Sequence, residues 1–419
     1  MSDPDTILPA RLPSLTSLRF VLALTVVLCH LTLISGIFDV GPDSPLAVME
    51  PIATGSVSGF FVLSGFVLTW AHTPGESRRA FWRRRLWKIV PNHVIGWALA
   101  VAFFAVITAT PATVLADGDS IGAAVAGLFL LQSWIPDPDF FFSFNAPAWS
   151  ISCEAFFYAL FPALLTAASR IPTRRLTACW AALAAATLLM PMISTLVPGP
   201  PLYDWLPINA TSLWFVYLCP PVRLTEFALG ILTARLIRTG RWPHLNRAQV
   251  AAPAVVVFVA VAYLPAQYAL GMAMAAPLAL IIAALTQADL QGRTRVMRHP
   301  YLIALGEASF ALYMTHYPLI LTIRHMLGVE KTFTPLPGTL IVTTLTAASI
   351  ALSLVVYRYY ELPLIQRWSR PRPRRPAPAA SARVAETPPR VLTPRPPTTA
   401  PIHQPADPTE RDPLDRAPT

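Results

Sequence analysis

The chain has 419 residues, of which 54% are hydrophobic and 13% charged, with a formal net charge of +10. A soluble globular domain carries about 25% charged residues, so this composition excludes one and points to lipid as the solvent. The surplus of positive charge does not indicate nucleic acid, because the basic residues sit in short clusters between apolar runs and in the C-terminal tail.

Cys29, Cys153, Cys179 and Cys219 fall within or beside apolar segments, with no spacing that suggests a metal site or a disulfide framework, and read as small packing residues. The histidines are scattered and the acidic residues mostly lie in loops, so no metal site is expected. Arg far outnumbers Lys, the only lysines being Lys88 and Lys331, and Ala and Pro are abundant; their GC-rich codons lean toward a bacterial source. The N-terminus has no basic region leading into a cleavable apolar one, so the first apolar segment is expected to stay as a membrane helix.

A helix needs about 20 apolar residues to cross a bilayer core. Segments of that kind fall near 15–35, 48–72, 91–110, 147–168, 176–197, 211–237, 249–264, 268–287, 301–327 and 337–359, which makes about ten. The loops between them test the count. The first has only acidic residues, and the second carries Arg78, Arg79, Arg83, Arg84, Arg85 and Lys88. The third is again acidic, the fourth has Arg170, Arg174 and Arg175, and the fifth has Asp204. Arg235, Arg238, Arg241 and Arg247 follow the sixth segment, and Arg293, Arg295 and Arg298 precede the ninth. Only the loop with Arg324 and Lys331 departs from the alternation. Positive charge on one side places both termini in the cytoplasm. Counting the short apolar stretch Ile121–Trp134 as a span would invert every later loop, so it reads as re-entrant or interfacial. The expected protein is therefore all-α, a polytopic integral membrane protein of the cell inner (plasma) membrane. It has a cytoplasmic segment at 1–12, a membrane domain at 13–368 and a disordered Pro/Arg-rich tail at 369–419.

A charge inside a membrane helix costs at least ~2.5–3.5 kcal/mol, so each one asks for a reason. The first segment holds Arg19 and, three turns later, His30 on the same face, roughly 16 Å apart. A snorkelling Arg and a packing His would explain that pair without function. Gly59–Phe66 (GFFVLSGF) has small residues around Ser64 and Gly65 that suit a close helix contact. Arg83 to Arg85 satisfy topology, yet guanidinium groups are also natural partners of phosphate. Glu154 lies about two turns inside the outer end of the fourth segment, at a depth that suits a contact with His30 or with an Arg elsewhere in the bundle. Arg223 and Glu226, after the break at Pro220-Pro221, read as a local ion pair. Ser309, Tyr313 and His316 form a polar stripe expected to face a cavity.

Together these segments resemble the acyltransferase-3 family of membrane acyltransferases, which includes acyltransferases of surface polysaccharides, nodulation factors and macrolides. SLTSLRFVLALTVVLCH is similar to the family's opening helix, with its Arg, ten intervening residues and His. GFFVLSGF, the Arg83–Arg85 pair, PAWSISCEAFFYALFP, RLTEFALG, LGEASFALYMTHYPL and YRYYELP resemble its later motifs in order, over roughly residues 13–368. Ile151 and Cys153 stand where the family has other apolar residues, and the tail is not expected to form the extracytoplasmic hydrolase-like domain fused to some members.

The resemblance implies transfer of an acyl group, acetyl foremost, from cytoplasmic acyl-CoA to a hydroxyl of a glycan, glycolipid or glycosylated natural product. His30 would be the catalytic base and Glu154 its assistant. Arg83 and Arg85 would hold the CoA phosphates, and Arg19 would line the path to the thioester. The competing reading is a transporter or exporter of a small polar or glycosylated solute, compatible with the broken sixth helix and the intramembrane charges.

Overall fold

A computed structural model of the chain describes residues 9, 11–41, 44–107, 118–202 and 208–368. The tail at 369–419 and most of the segment at 1–12 lie outside the described residues. Twelve helices organise the rest: α1 (Pro13–Cys29), α2 (Met49–Trp70), α3 (Arg78–Ile107), α4 (Gly118–Leu128), α5 (Trp149–Arg170), α6 (Leu176–Ser194), α7 (Pro220–Arg238), α8 (Arg247–Ala260), α9 (Ala275–Leu290), α10 (Pro300–Glu307), α11 (Ser309–Leu327) and α12 (Pro335–Val356). Helix is what lipid demands, since a segment there must satisfy its own backbone groups. Proline at the first turn starts α1, α7, α10 and α12, where its missing N–H is not needed.

Among the described residues, eight helical stretches are long and apolar enough to cross a membrane. They match eight of the ten expected segments, and the protein is a polytopic all-α membrane protein. Three expectations differ in detail. The third segment begins at Arg78 rather than near residue 91, because its Arg-rich first turns are also helical. Hydropathy sees only the apolar part of such a helix, whereas here Glu76 ion-pairs with Arg84 at its start. The seventh, α8, has 14 residues and spans about 21 Å, short of the hydrocarbon thickness. The ninth is two helices, α10 and α11, that meet at Ala308. There Gly306 lies so close to α1 that a Cβ would stand 2.0 Å from the Thr16 carbonyl oxygen.

The stretch Ile121–Trp134 overlaps α4, whose 11 residues cover about 17 Å. It is held from the side. The His93 imidazole meets the carbonyls of Gly127 (3.1 Å) and Leu128 (3.2 Å), and the Trp97 indole donates to Ala124 O at 2.9 Å.

The tightest packing is between α2 and α7. A Cβ on Gly65 would lie 2.0 Å from Phe227 O, and one on Gly230 would lie 1.9 Å from Val62 O. Each glycine admits the other helix's backbone, which is how helices associate where no hydrophobic force distinguishes protein from lipid. The contact joins two of the segments read as motifs, GFFVLSGF and RLTEFALG. Three helices also loosen into π turns at His30–Ile34, Trp214–Leu218 and Tyr357–Glu361. Such turns recur at functional sites because they rotate a side chain out of register. Here they carry His30, Tyr217 and Glu361.

Candidate functional site

The polar residues form a path through the centre of the bundle. Its end on the side of the arginine-rich first turns of α3 is a cavity whose wall includes Arg85, Tyr158, Ser64, Arg19 and Glu154. A second cavity continues it, sharing Arg19, Glu154 and Phe60 and adding Ser150, Ser309 and Tyr313. Arg19 and Glu154 therefore sit at the junction.

That end is built on three helices. The Tyr158 hydroxyl, one turn after Glu154 on α5, donates to Glu154 Oε2 at 3.1 Å. Its oxygen then accepts from Ser64 Oγ of α2 at 3.0 Å. The Arg85 guanidinium of α3 stands 6.0 Å from the Tyr158 ring centroid and 5.9 Å from that of Phe81. Arg83 is in the wall of neither cavity. Two residues turn a helix by about 200°, so Arg83 and Arg85 do not share a face.

Sequence reasoning missed three residues here. Lys88, one turn after Arg85 on the same face, ion-pairs with Glu361, and Asn92 donates to that carboxylate's other oxygen. Glu361 is 1% exposed. The charged groups nearest Lys88 are Glu361, Arg19 and Arg85. Three cations thus face two carboxylates, Glu154 and Glu361, and the path keeps surplus positive charge. Lys88 was legible as a third cation three residues after Arg85, but nothing in the sequence linked it to Glu361 across 273 positions.

At the far end, Ser150 Oγ and Tyr313 Oη lie 2.9 Å apart, and the Tyr313 hydroxyl also reaches Pro147 O at 3.2 Å. One turn on from Tyr313 is His316, which is fully buried behind the cavity wall rather than lining it. His316 Nε2 is 2.8 Å from His30 Nδ1, and the two rings are parallel within 7°. His30 itself is only half-buried. Glu154, the partner expected for His30, instead bonds to Tyr158 and stands at the level of Arg19. The reason lies in α5, which starts at the outer end with Ser150 beside Tyr313 and has already descended a turn by Glu154.

The histidine pair has a defined tautomer. His316 Nδ1 lies 3.1 Å from the Leu312 carbonyl oxygen, which only accepts, so Nδ1 carries the proton. With neutral rings, His316 Nε2 must accept, His30 Nδ1 must donate, and the lone pair on His30 falls on Nε2. The backbone of α11 thereby orients a base on α1. Among the described residues, no three His, Cys, Asp or Glu side chains come together to hold a metal ion.

A family model described as an acyltransferase domain matches residues 12–358. The chain is also 35% identical over 374 residues to Acyltransferase MdmB of Streptomyces mycarofaciens, covering 88% of this chain and 95% of that protein. No solved structure matches it significantly.

Proposed function

Because the chain belongs to the acyltransferase-3 family and is a membrane acyltransferase, we propose that it moves an acyl group, acetyl foremost, from cytoplasmic acyl-CoA to a sugar hydroxyl. The acceptor would be a glycan, a glycolipid or a glycosylated natural product, and the setting the plasma membrane. The observation that carries the reading is the path itself. Surplus positive charge surrounds its cytoplasmic end, and a histidine with a free Nε2 stands just past its far end.

In this reading Arg85 and Lys88 hold the phosphates of the donor, with Arg85 free of any carboxylate bond and so the stronger anion ligand. The thin pantetheine arm runs past Arg19 and Glu154 and brings the thioester toward Tyr313. The acceptor hydroxyl approaches His30, whose Nε2 takes its proton as the oxygen attacks the thioester carbon. A C–O bond forms, the C–S bond breaks, and the departing CoA sulfur takes the proton back. His316 acts through His30 by fixing its tautomer. Glu154 and Tyr158 hold the middle of the path in place and supply polar surface along it.

The test separates donor binding from transfer. Acetyl-CoA binding to the detergent-purified protein is expected to survive His30→Ala, while transfer falls by roughly 10²–10⁴-fold, the usual contribution of a general base. Transfer at the wild-type rate in that variant would remove His30 from the mechanism. Failure of the folded wild-type protein to bind acetyl-CoA and longer acyl-CoAs would remove the donor and bring the transport reading forward.

A further inference from the structure

On the side of the bundle away from this path, α5, α6 and α7 enclose an open groove of about 920 Å³ near the cytoplasmic ends of α5 and α7. Its walls are wholly apolar and include Leu164, Ile171, Cys179, Leu183, Ile231 and Leu232. An apolar groove at a membrane face says little by itself, since lipid tails are as apolar as leucine and gain nothing by entering it. The rim is what makes this one specific.

Arg170, Arg174 and Arg175 stand exposed on the turn that joins α5 to α6. Arg235, one turn after Ile231 on α7, crosses the mouth of the groove, and its guanidinium reaches the carbonyls of Ala168 and Ser169. No Asp or Glu occurs anywhere in residues 155–203 or 227–288, so the sequence around the rim supplies no counter-charge. Glu226, nearest in sequence, is fully buried on Arg223. Beside the groove, the Trp180 indole donates to Thr233 Oγ1 at 2.8 Å and meets Trp242 edge-on at 5.6 Å.

We infer that this groove is a binding site for an anionic glycerophospholipid of the cytoplasmic leaflet, with an acyl chain between α5, α6 and α7 and its phosphate on Arg170, Arg174 and Arg175. The apolar walls set where the lipid lies, and the uncompensated guanidiniums set which lipid it is, because each arginine near an anionic headgroup adds attraction. The site does not depend on the donor reading. It bridges the cytoplasmic halves of the helices that carry Glu154 and Gly230, so its occupancy should stiffen the bundle.

The experiment uses the whole purified protein, exchanged into nanodiscs of mixed phosphatidylglycerol and phosphatidylcholine, then released for native mass spectrometry. Phosphatidylglycerol should be retained at least tenfold over phosphatidylcholine, and the preference should be lost in two variants, Arg174→Ala/Arg175→Ala and Ala182→Trp. The first removes the headgroup partners and the second fills the groove from α6. Both leave the central path untouched, and a monodisperse size-exclusion peak with a wild-type melting temperature serves as the check that they fold. Equal retention of the two lipids would overturn the proposal. So would selective retention that survives Ala182→Trp, because the chain would then lie elsewhere. Displacement of the lipid by millimolar inorganic phosphate would reduce the site to an ion site and overturn it as well.

Discussion

The bundle buries arginine in two ways. On α7, Arg223 and Glu226 are both 0% exposed, with Nε and Oε2 3.1 Å apart. Ser58 Oγ accepts from Arg223 at 3.1 Å, and the guanidinium faces the rings of Phe61, Trp149 and Tyr217 at 5.0–5.9 Å. Its charge is answered by a carboxylate, a hydroxyl oxygen and three ring faces. On α3, Arg85 is only half-buried, lines a cavity and meets no carboxylate in an ion pair. A neutralised buried charge holds a fold together. A charge left in surplus beside a cavity waits for an anion.

The comparison can be broken from the structural side first. Gly230→Leu would drive a side chain into the Val62 carbonyl and should abolish folded protein, read as loss of the monodisperse peak in size-exclusion chromatography. A monodisperse, active Gly230→Leu protein would mean that the α2–α7 contact is not the organising one. Glu226→Ala strands Arg223 without its partner and should destabilise by ~3–5 kcal/mol, seen as a lowered melting temperature in detergent. Replacing both partners by apolar residues of similar volume, as in Arg223→Met with Glu226→Leu, should recover most of that loss. If the single and double changes melted alike, the pair would contribute nothing as a pair.

The surplus charge gives the smaller effects. Arg85→Ala should weaken acetyl-CoA binding by about 10–100-fold, the range of a hydrogen bond to a charged group, while the melting temperature holds or rises. Arg83→Ala, whose side chain is outside both cavity walls, should change binding by less than about threefold, as expected of a charge that does not touch the ligand. Equal losses in the two variants would show that position on the helix does not matter and would return both arginines to topology. The Arg85-dependent part of the binding should also weaken with added salt, because phosphate contacts are screened.

Much of the frame was written in the sequence. The length of the apolar runs fixed most helices, because crossing lipid is a local free-energy requirement that each segment meets alone. The alternation of arginine between loops points to one side for them by an equally local rule. Arg19 and His30 on one face of α1, and the small residues of GFFVLSGF, were likewise legible from helical spacing. What spacing could not supply was partnership. His30 finds His316 across 286 positions, Lys88 finds Glu361 across 273, and Glu154 takes Tyr158 on its own helix. Arg83 and Arg85 look equivalent in a string, and only packing of α3 turns one into the cavity and the other out of it. Those choices depend on how closely the helices approach and at what height their side chains meet, which is decided at contacts such as Gly65 with Phe227 and Gly306 with Thr16. Sequence sets which residues are costly to bury, and tertiary packing decides which of them are answered.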